Sequence, residues 1–144
     1  MSLIQELRSA RCFLCSLDHD AEIVTSITNL AERLGVKVGA VAAIGALQRA
    51  EIGYYDQVAH EYRPIEIDRP VEIASLNGNL SIREGKPFLH AHATLADSEG
   101  NVRGGHLTSG TVFAAEVCLR ELVGRPPVRR HDPTTDLFLW SETD

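Results

Sequence analysis

The sequence lacks three features that would assign it to common functional classes. No apolar run approaches the roughly 20 residues that a membrane-spanning helix needs, and the N-terminus has no basic segment followed by an apolar one. Cysteine occurs three times, an odd number that does not suit the paired framework of a secreted domain. Fourteen Lys and Arg stand against twenty Asp and Glu, a net charge of −6. The sequence therefore predicts a soluble cytoplasmic protein that does not engage membranes.

The acidic balance also bears on nucleic acids. Affinity for a phosphate backbone comes from Lys and Arg that displace counterions, so DNA is possible as a partner but disfavoured. The chain has 144 residues, of which 44% are hydrophobic, a size and composition that suit one globular domain. We expect a lead-in over residues 1–9 and a single domain over residues 10–144.

The pattern of apolar residues predicts one main helix and many strands. Apolar residues recur at helical spacing over residues 23–34, with Asp20 as the expected N-cap and Gly35 as the C-terminal stop. The segment 71–76 is typical of a strand, and the Asn-Gly-Asn sequence at 77–79 predicts a turn after it. Periodicity leaves residues 111–122 open between a long strand and a helix. The fold class expected is α+β, with an antiparallel β-sheet packed on the helix.

Three histidines form the clearest candidate site. Side chains two residues apart on a strand share a face, so His90 and His92 are expected side by side. The loop at Asp97–Gly100 is typical of a hairpin, which would return His106 beside them, and the two preceding glycines allow close backbone approach. Three neutral imidazoles suit Zn²⁺ or another divalent transition metal with one position left open. The alternative is that the histidines are solvated or hydrogen-bonded without a metal.

Other polar residues are weaker candidates. Glu72 and Glu116 each interrupt an apolar run, where an unpaired charge is costly, and either could act as a ligand or general base or simply face solvent. Cys12 and Cys15 have redox-motif spacing, but on a strand they lie on opposite faces, which favours a buried structural role. Cys118 is expected to lie alone in the core.

A small basic segment is the candidate nucleic-acid contact. Arg125, Arg129 and Arg130 surround a Gly-Arg-Pro sequence, which is the centre of an AT-hook that inserts arginine into the minor groove. Val123 stands where an AT-hook has a basic residue, so a turn between elements explains the segment better.

Several of these segments together resemble the plant and prokaryote conserved (PPC) domain family. The resemblance begins near Arg11 and extends over nearly the whole chain. The segments that carry it are 43–47, 54–56, 72–79, 88–92, 104–107, Glu116 and 130–140. It implies an α+β subunit that assembles as a homotrimer. Plant members carry AT-hooks and serve in protein association, and stand-alone prokaryotic members are candidate DNA-binding proteins.

The PPC domain is similar in fold to alpha-acetolactate decarboxylase, whose zinc is held by a His-x-His pair and a further histidine. That similarity implies that His90, His92 and His106 are metal ligands in this chain. The resulting prediction is a metal-binding module with a role in DNA binding or protein association. The alternatives are a small zinc-dependent enzyme, decarboxylase-like or hydrolase-like, that acts on a small molecule, and a protein whose metal holds strands or subunits together.

Overall fold

The computed structural model describes residues 3–141. Met1 and Ser2 of the predicted lead-in and residues 142–144 of the predicted domain lie outside the described residues. In the described part, a single α-helix and eight strands follow one another along the chain. They are β1 (Arg8–Leu17), α1 (Ile23–Leu34), β2 (Gly39–Asp56), β3 (Glu61–Ile67), β4 (Val71–Arg83), β5 (Lys86–Ala96), β6 (Val102–Val123), β7 (Val128–Asp132) and β8 (Leu137–Ser141). None of the described helices has the length and apolar character needed to cross a bilayer.

The strands form one sheet in the order β3-β2-β6-β5-β4-β7-β8, with β1 paired to β6. Every pairing is antiparallel except the short one between β4 and β7. Strand β2 pairs with β4 as well as with β6, so the sheet curls back upon itself. The α+β class is therefore confirmed in outline, and the segment left open at 111–122 is a strand.

Helix α1 packs on one face of this curled sheet and supplies the centre of the core. Ile23, Ile27 and Ala31 have no exposed surface, because their helical spacing puts them on the stripe that faces β5 and β6. The sheet contributes the alternate residues of its strands, such as Leu89 and Ala91 on β5. Residues of β5 with the other parity point to the face opposite the helix, and this face carries the histidines.

The helix ends where expected but does not begin at the expected cap. Gly35 ends it with φ +70°, a left-handed conformation that glycine adopts without a steric penalty. The N-cap is Glu22 and not Asp20, because the Glu22 carboxylate accepts the backbone N–H groups of Val24 and Thr25. Asp20 instead has φ +64° and accepts a hydrogen bond from Gln48.

The turn expected at residues 77–79 is also wrong. Strand β4 runs through it, and the chain reverses at Glu84 and Gly85, whose φ values of +52° and +79° suit a two-residue hairpin. Gly78 serves close strand packing, since a Cβ there would lie 2.6 Å from the carbonyl oxygen of His90. The longer β4 places Asn79, Ser81 and Arg83 on the same face as His90.

The cysteines differ from their expected places. Strand β1 does separate Cys12 from Cys15, but Cys12 is exposed and only Cys15 packs toward the core. Cys118 is neither fully buried nor alone, because its Sγ lies 3.8 Å from the Sγ of Cys12 across the β1–β6 pairing. The pair occupies diagonal positions of two neighbouring strands, which sequence spacing could not indicate.

Candidate metal centre

Two strands bring the three histidines together. His90 and His92 lie on β5, and the hairpin through Asp97–Gly100 returns β6 so that His92 pairs directly with His106. Asp97 holds this turn by accepting the backbone N–H groups of Glu99 and Asn101. The turn therefore sets the register that the His92–His106 pairing needs.

The glycine before His106 has a definite role. A Cβ on Gly105 would lie 2.7 Å from the carbonyl oxygen of Gly53 on β2, so only glycine lets the two strands approach at this point. Gly53 in turn pairs with His106. Its missing side chain leaves room for Tyr62, whose ring lies 5.0 Å from the ring of His106. The close approach predicted for the glycine pair is thus present at Gly105.

The imidazoles form a compact triangle. One ring nitrogen from each of His90, His92 and His106 can be chosen so that all three lie within 4.8 Å of one another. The ring centroids are 5.2 to 5.6 Å apart. His92 is exposed, whereas His90 and His106 are half-buried. This arrangement leaves one side of the triangle open to solvent.

The surroundings keep the two half-buried rings neutral. Burial, the nearby Arg129 guanidinium and the other two histidines lower the pKa of His90 from 6.5 to about 4. Burial, His92 and Arg129 lower the pKa of His106 in the same direction. A neutral imidazole keeps a nitrogen lone pair at physiological pH, which is the form that binds metal ions.

A buried arginine, Arg129, contacts the histidine triangle from inside the protein. Its side chain is buried, with a relative exposure of 8%, and it donates hydrogen bonds to the Ser81 hydroxyl, the Phe138 carbonyl and the Asn79 amide oxygen. The Nη2 that serves Asn79 also lies 3.3 Å from His90 Nδ1. Because arginine only donates, His90 Nδ1 is the acceptor in this contact.

The residues present fit a divalent transition metal. His106 Nδ1 is buried and has no hydrogen-bond partner among the described residues, an arrangement that costs free energy unless something binds there. Three imidazole nitrogens without a carboxylate match the three-histidine set of an open zinc site. The Arg129 contact opposes this fit at His90, because a neutral ring has a single nitrogen lone pair to share between the guanidinium and a metal.

The candidate carboxylates lie elsewhere. Glu72 is exposed on β4, five residues before the position that pairs with His92, which is about 17 Å along a strand. Glu116 is exposed on β6, ten residues beyond His106, and it is not among the possible ligand groups that lie within 4.8 Å of one another. The fold of a single chain therefore does not bring either carboxylate to the histidines.

The three arginines do not form one surface patch. Arg129 points inward to the histidines, whereas its neighbour Arg130 is exposed on the other face of β7. Arg125 is exposed in the segment before β7. Sequence reasoning missed the contribution of Arg129, Asn79 and Ser81 because it ended β4 too early. Alternation along a longer strand was the signal that could have revealed them.

The fold and the site together define an α+β domain with a three-histidine candidate metal centre on the open face of its sheet. The chain belongs to the Plants and Prokaryotes Conserved (PCC) domain family, whose model matches residues 4–123. The resemblance to the PPC family seen in the sequence is thereby confirmed. The β7–β8 hairpin, which supplies Arg129, lies beyond the matched residues.

Solved structures support the same assignment. A metal-containing protein from Archaeoglobus fulgidus is 42% identical, with a TM-score of 0.95 over 98% of this chain and 100% of that one. A PPC protein from Pyrococcus horikoshii is 35% identical, with a TM-score of 0.93 over 99% of each chain. A candidate DNA-binding protein from Ralstonia eutropha is 27% identical, with a TM-score of 0.81 over 90% of each chain. The comparison with curated proteins found no match.

Proposed function

We propose that this protein is a metal-binding PPC module that holds one zinc or similar divalent ion on His90, His92 and His106. The observation that carries the proposal is the triangle of ring nitrogens within 4.8 Å, on one sheet face and open on one side. The lowered pKa values of His90 and His106 support it, because both rings are neutral at pH 7. The relative from Archaeoglobus fulgidus is itself a metal-containing protein.

Zinc is the metal that we favour on chemical grounds. Imidazole nitrogen is a ligand that zinc binds readily, and a site of three protein ligands leaves a position for water or a small molecule. A zinc ion bound there supplies Lewis acidity, by which it polarises a carbonyl oxygen or lowers the pKa of a bound water. The protein's own part is to hold three neutral rings at fixed spacing.

Elemental analysis of the freshly purified protein tests the metal site. We expect about one zinc or similar ion per chain in the parent, and its loss in His90→Ala and His106→Ala. His19→Ala is the matched control, because His19 is an exposed histidine in contact with Phe113 and lies outside the triangle. Circular dichroism confirms that each variant is folded. Equal metal content in parent and site variants would contradict the proposal.

We further propose that the module acts as a homotrimer in the cytoplasm. The face opposite the helix exposes Leu14 to 84% and Ile44 to 58% of their full surface. A shallow cavity of about 590 Å³ lies beside them, lined largely by apolar atoms of β1, β2, β4 and β6. Exposed apolar surface of this kind is typical of self-association. The odd cysteine count favours the reducing cytoplasm.

The association role concerns proteins or DNA. The relative from Ralstonia eutropha is a candidate DNA-binding protein, but this chain has a net charge of −6 and turns Arg129 inward. We therefore favour protein association. Retention on duplex DNA across a salt series, compared between the parent and the triple variant Arg125→Gln, Arg129→Gln, Arg130→Gln, tests the DNA role. Strong salt-sensitive retention that the triple variant loses would establish DNA binding through this segment.

A second candidate function is small zinc-dependent catalysis. A cavity of about 240 Å³ adjoins the triangle and is lined by both half-buried histidines, His90 and His106. Such a cavity could admit a small carbonyl or ester substrate next to the metal. Turnover that His92→Ala abolishes with assembly intact is the expected result if the protein is an enzyme. If the metal is structural, chelation lowers the melting temperature and no activity is found.

A further inference from the structure

One cavity beside the histidine triangle is lined by aromatic and arginine side chains, which are not metal ligands. It has a volume of about 240 Å³ and is walled by the end of β4, the start of β5, the β2–β3 hairpin and the β7–β8 hairpin. A cavity of this volume admits a small organic molecule.

The walls of this cavity are largely aromatic. Phe88, Phe138, Tyr55 and Tyr62 line it, and the ring centroids of the two tyrosines lie 5.0 Å apart in an edge arrangement. The hydroxyl of Tyr55 donates a hydrogen bond to the carbonyl oxygen of Thr135, which holds the β7–β8 turn against the end of β2. Aromatic walls of this kind favour a ligand with a flat or apolar body.

Arg83 brings a positive charge to this cavity, and its guanidinium lies against two aromatic rings. Its guanidinium carbon lies 3.6 Å from the ring centroid of Phe138 and 5.3 Å from that of Phe88. Within residues 3–141 the guanidinium has these ring contacts but no hydrogen-bond acceptor. A planar guanidinium held on an aromatic face keeps its fork of N–H donors ready for a carboxylate. Arg129, by contrast, is already occupied by four acceptors.

The charges around the cavity favour an anion. Arg83 and Arg129 both face it, and a divalent ion on the histidines would add further positive charge. The acidic groups that line it are Glu61 and Asp136, both of which are exposed, and Asp136 is 2.6 Å from His131. Burial lowers the pKa of Arg129, and the nearby charge of Arg83 lowers it further, so the two cations repel each other. A bound carboxylate would relieve that repulsion.

We propose that this cavity binds a small organic carboxylate with a planar or apolar body, whose carboxylate pairs with Arg83. The inference deepens the proposed function, because the cavity shares His90 and His106 with the metal site. Arg83, which we call the anchor of the ligand carboxylate, is not part of the histidine triangle. The carboxylate is therefore expected to bind the metal-free protein as well. Bound metal strengthens binding by adding positive charge.

Calorimetric titration with benzoate tests this proposal. Benzamide is the uncharged probe of nearly the same shape, and inorganic phosphate is an anion without an apolar body. We expect benzoate to bind both the chelator-treated and the zinc-loaded protein at least about tenfold more tightly than either comparison probe, since hydrogen bonds to charged groups are the stronger ones. Equal binding of benzoate and benzamide would overturn the anion assignment. Equal or tighter binding of phosphate would overturn the organic class.

Variants test the anchor. Arg83→Gln is expected to weaken benzoate binding about tenfold or more. Arg83→Lys keeps the positive charge but loses the planar pair of N–H donors, so its affinity for benzoate is expected to lie between those of Arg83→Gln and the parent. Arg130→Gln is the matched control, because Arg130 is exposed on β7 and does not line the cavity. Benzoate affinity unchanged in both folded Arg83 variants would overturn the proposal. Failure of the metal proposal is separately visible as absent zinc in elemental analysis.

Discussion

At the scale of single residues, the site is governed by a competition for His90. A neutral imidazole has one nitrogen lone pair available, and the Arg129 N–H occupies it at Nδ1 over 3.3 Å. Metal binding at His90 therefore requires this contact to break, and it also places the ion beside a buried guanidinium. Arg129 keeps its bonds to Ser81 and Asn79, which hold it in place when His90 is withdrawn. We therefore expect Arg129 to lower the affinity for the proposed metal, although it also connects His90 to Ser81 and Asn79.

Replacement of Arg129 with Met is expected to raise the affinity for Zn²⁺ about fivefold. The reason is the lost competing hydrogen bond, about 1 kcal/mol, together with the lost positive charge. Competition with a chelating indicator measures the affinity, and Arg130→Gln is the control because it leaves His90 untouched. Weaker zinc binding by folded Arg129→Met would show instead that Arg129 positions His90 for the metal.

The same surroundings predict a dependence of stability on pH in the metal-free protein. The unfolded chain protonates His90 near its ordinary pKa of 6.5, whereas the folded chain resists protonation until the pKa of about 4. The free energy of unfolding therefore falls as the pH is lowered from about 6.5 to about 4, because the unfolded state binds more protons over that range.

Urea denaturation at a series of pH values in the presence of chelator measures this effect. His90→Asn removes one of the two buried titrating rings and is expected to reduce the decline between pH 6.5 and 4, while His19→Asn retains it in full. The pKa of His106 is lowered in the same direction, so His106 accounts for the decline that remains. Asp56 and Asp97 have pKa values below the ordinary 3.8. The stability that they contribute to the folded protein is therefore lost mainly below about pH 4, which is below the range assigned to His90. An equal decline in His90→Asn and in the parent would contradict the assignment.

At the scale of secondary-structure elements, the start of α1 is tied to the sheet by one side chain. The Glu22 carboxylate accepts N–H groups from Val24 and Thr25 and a third from Gly110 on β6. The cap therefore also orients the helix on the sheet, which a cap at Asp20 would not do. This bond across the core explains why a longer side chain than aspartate serves as the cap.

Replacement of Glu22 with Ala is expected to destabilise the protein by about 1 to 2 kcal/mol, since it leaves helix N–H groups without a partner. Glu32→Ala is the matched control, because Glu32 is exposed on the same helix and its side chain caps nothing. Chemical denaturation followed by circular dichroism measures both. A loss in Glu22→Ala no larger than that in Glu32→Ala would show that the cap contributes little.

At the scale of the whole molecule, one sheet face carries both the histidines and exposed apolar side chains. Leu14 and Ile44 lie on this face with Glu116 and Cys118 at the rim of the shallow cavity. Contiguous exposed apolar surface of this kind marks an interaction site, which supports the proposed self-association. The proposed homotrimer would cover it and would leave the opposite, helix-bearing face toward solvent.

The double variant Leu14→Glu, Ile44→Glu is expected to convert the assembly to a monomer, because burial of two charges at an apolar interface is costly. Size-exclusion chromatography with light scattering measures the mass, which should fall from about three times to one times the 15.8 kDa of the chain. Val58→Glu is the control, since Val58 is 95% exposed in the β2–β3 turn. A parent that is already monomeric would contradict the trimer.

Local patterns predicted most of the elements and the candidate triangle. The hairpin at Asp97–Gly100, the helix stop at Gly35 and the shared face of His90 and His92 all depend on residues close together in the chain. The wrong predictions are those for which two nearby residues were equally good candidates for the same structural role. Asp20 and Glu22 could each cap the helix, and Gly78 and Gly85 could each mark a turn. Only pairing with distant strands decides between them, because strand packing is set by partners far along the chain.

Residue patterns were enough to predict the class of fold and the three residues of the candidate metal centre, and the resemblance of several segments identified the family. The fold class and the histidine triangle follow from side-chain period and from turn chemistry, which act over a few residues. Tertiary packing was needed to show that Arg129 reaches His90, that Arg83 has no hydrogen-bond acceptor within residues 3–141, and that neither Glu72 nor Glu116 joins the histidine group. The physical reason is that these relations depend on strand register between segments tens of residues apart, which the packing of the complete core determines.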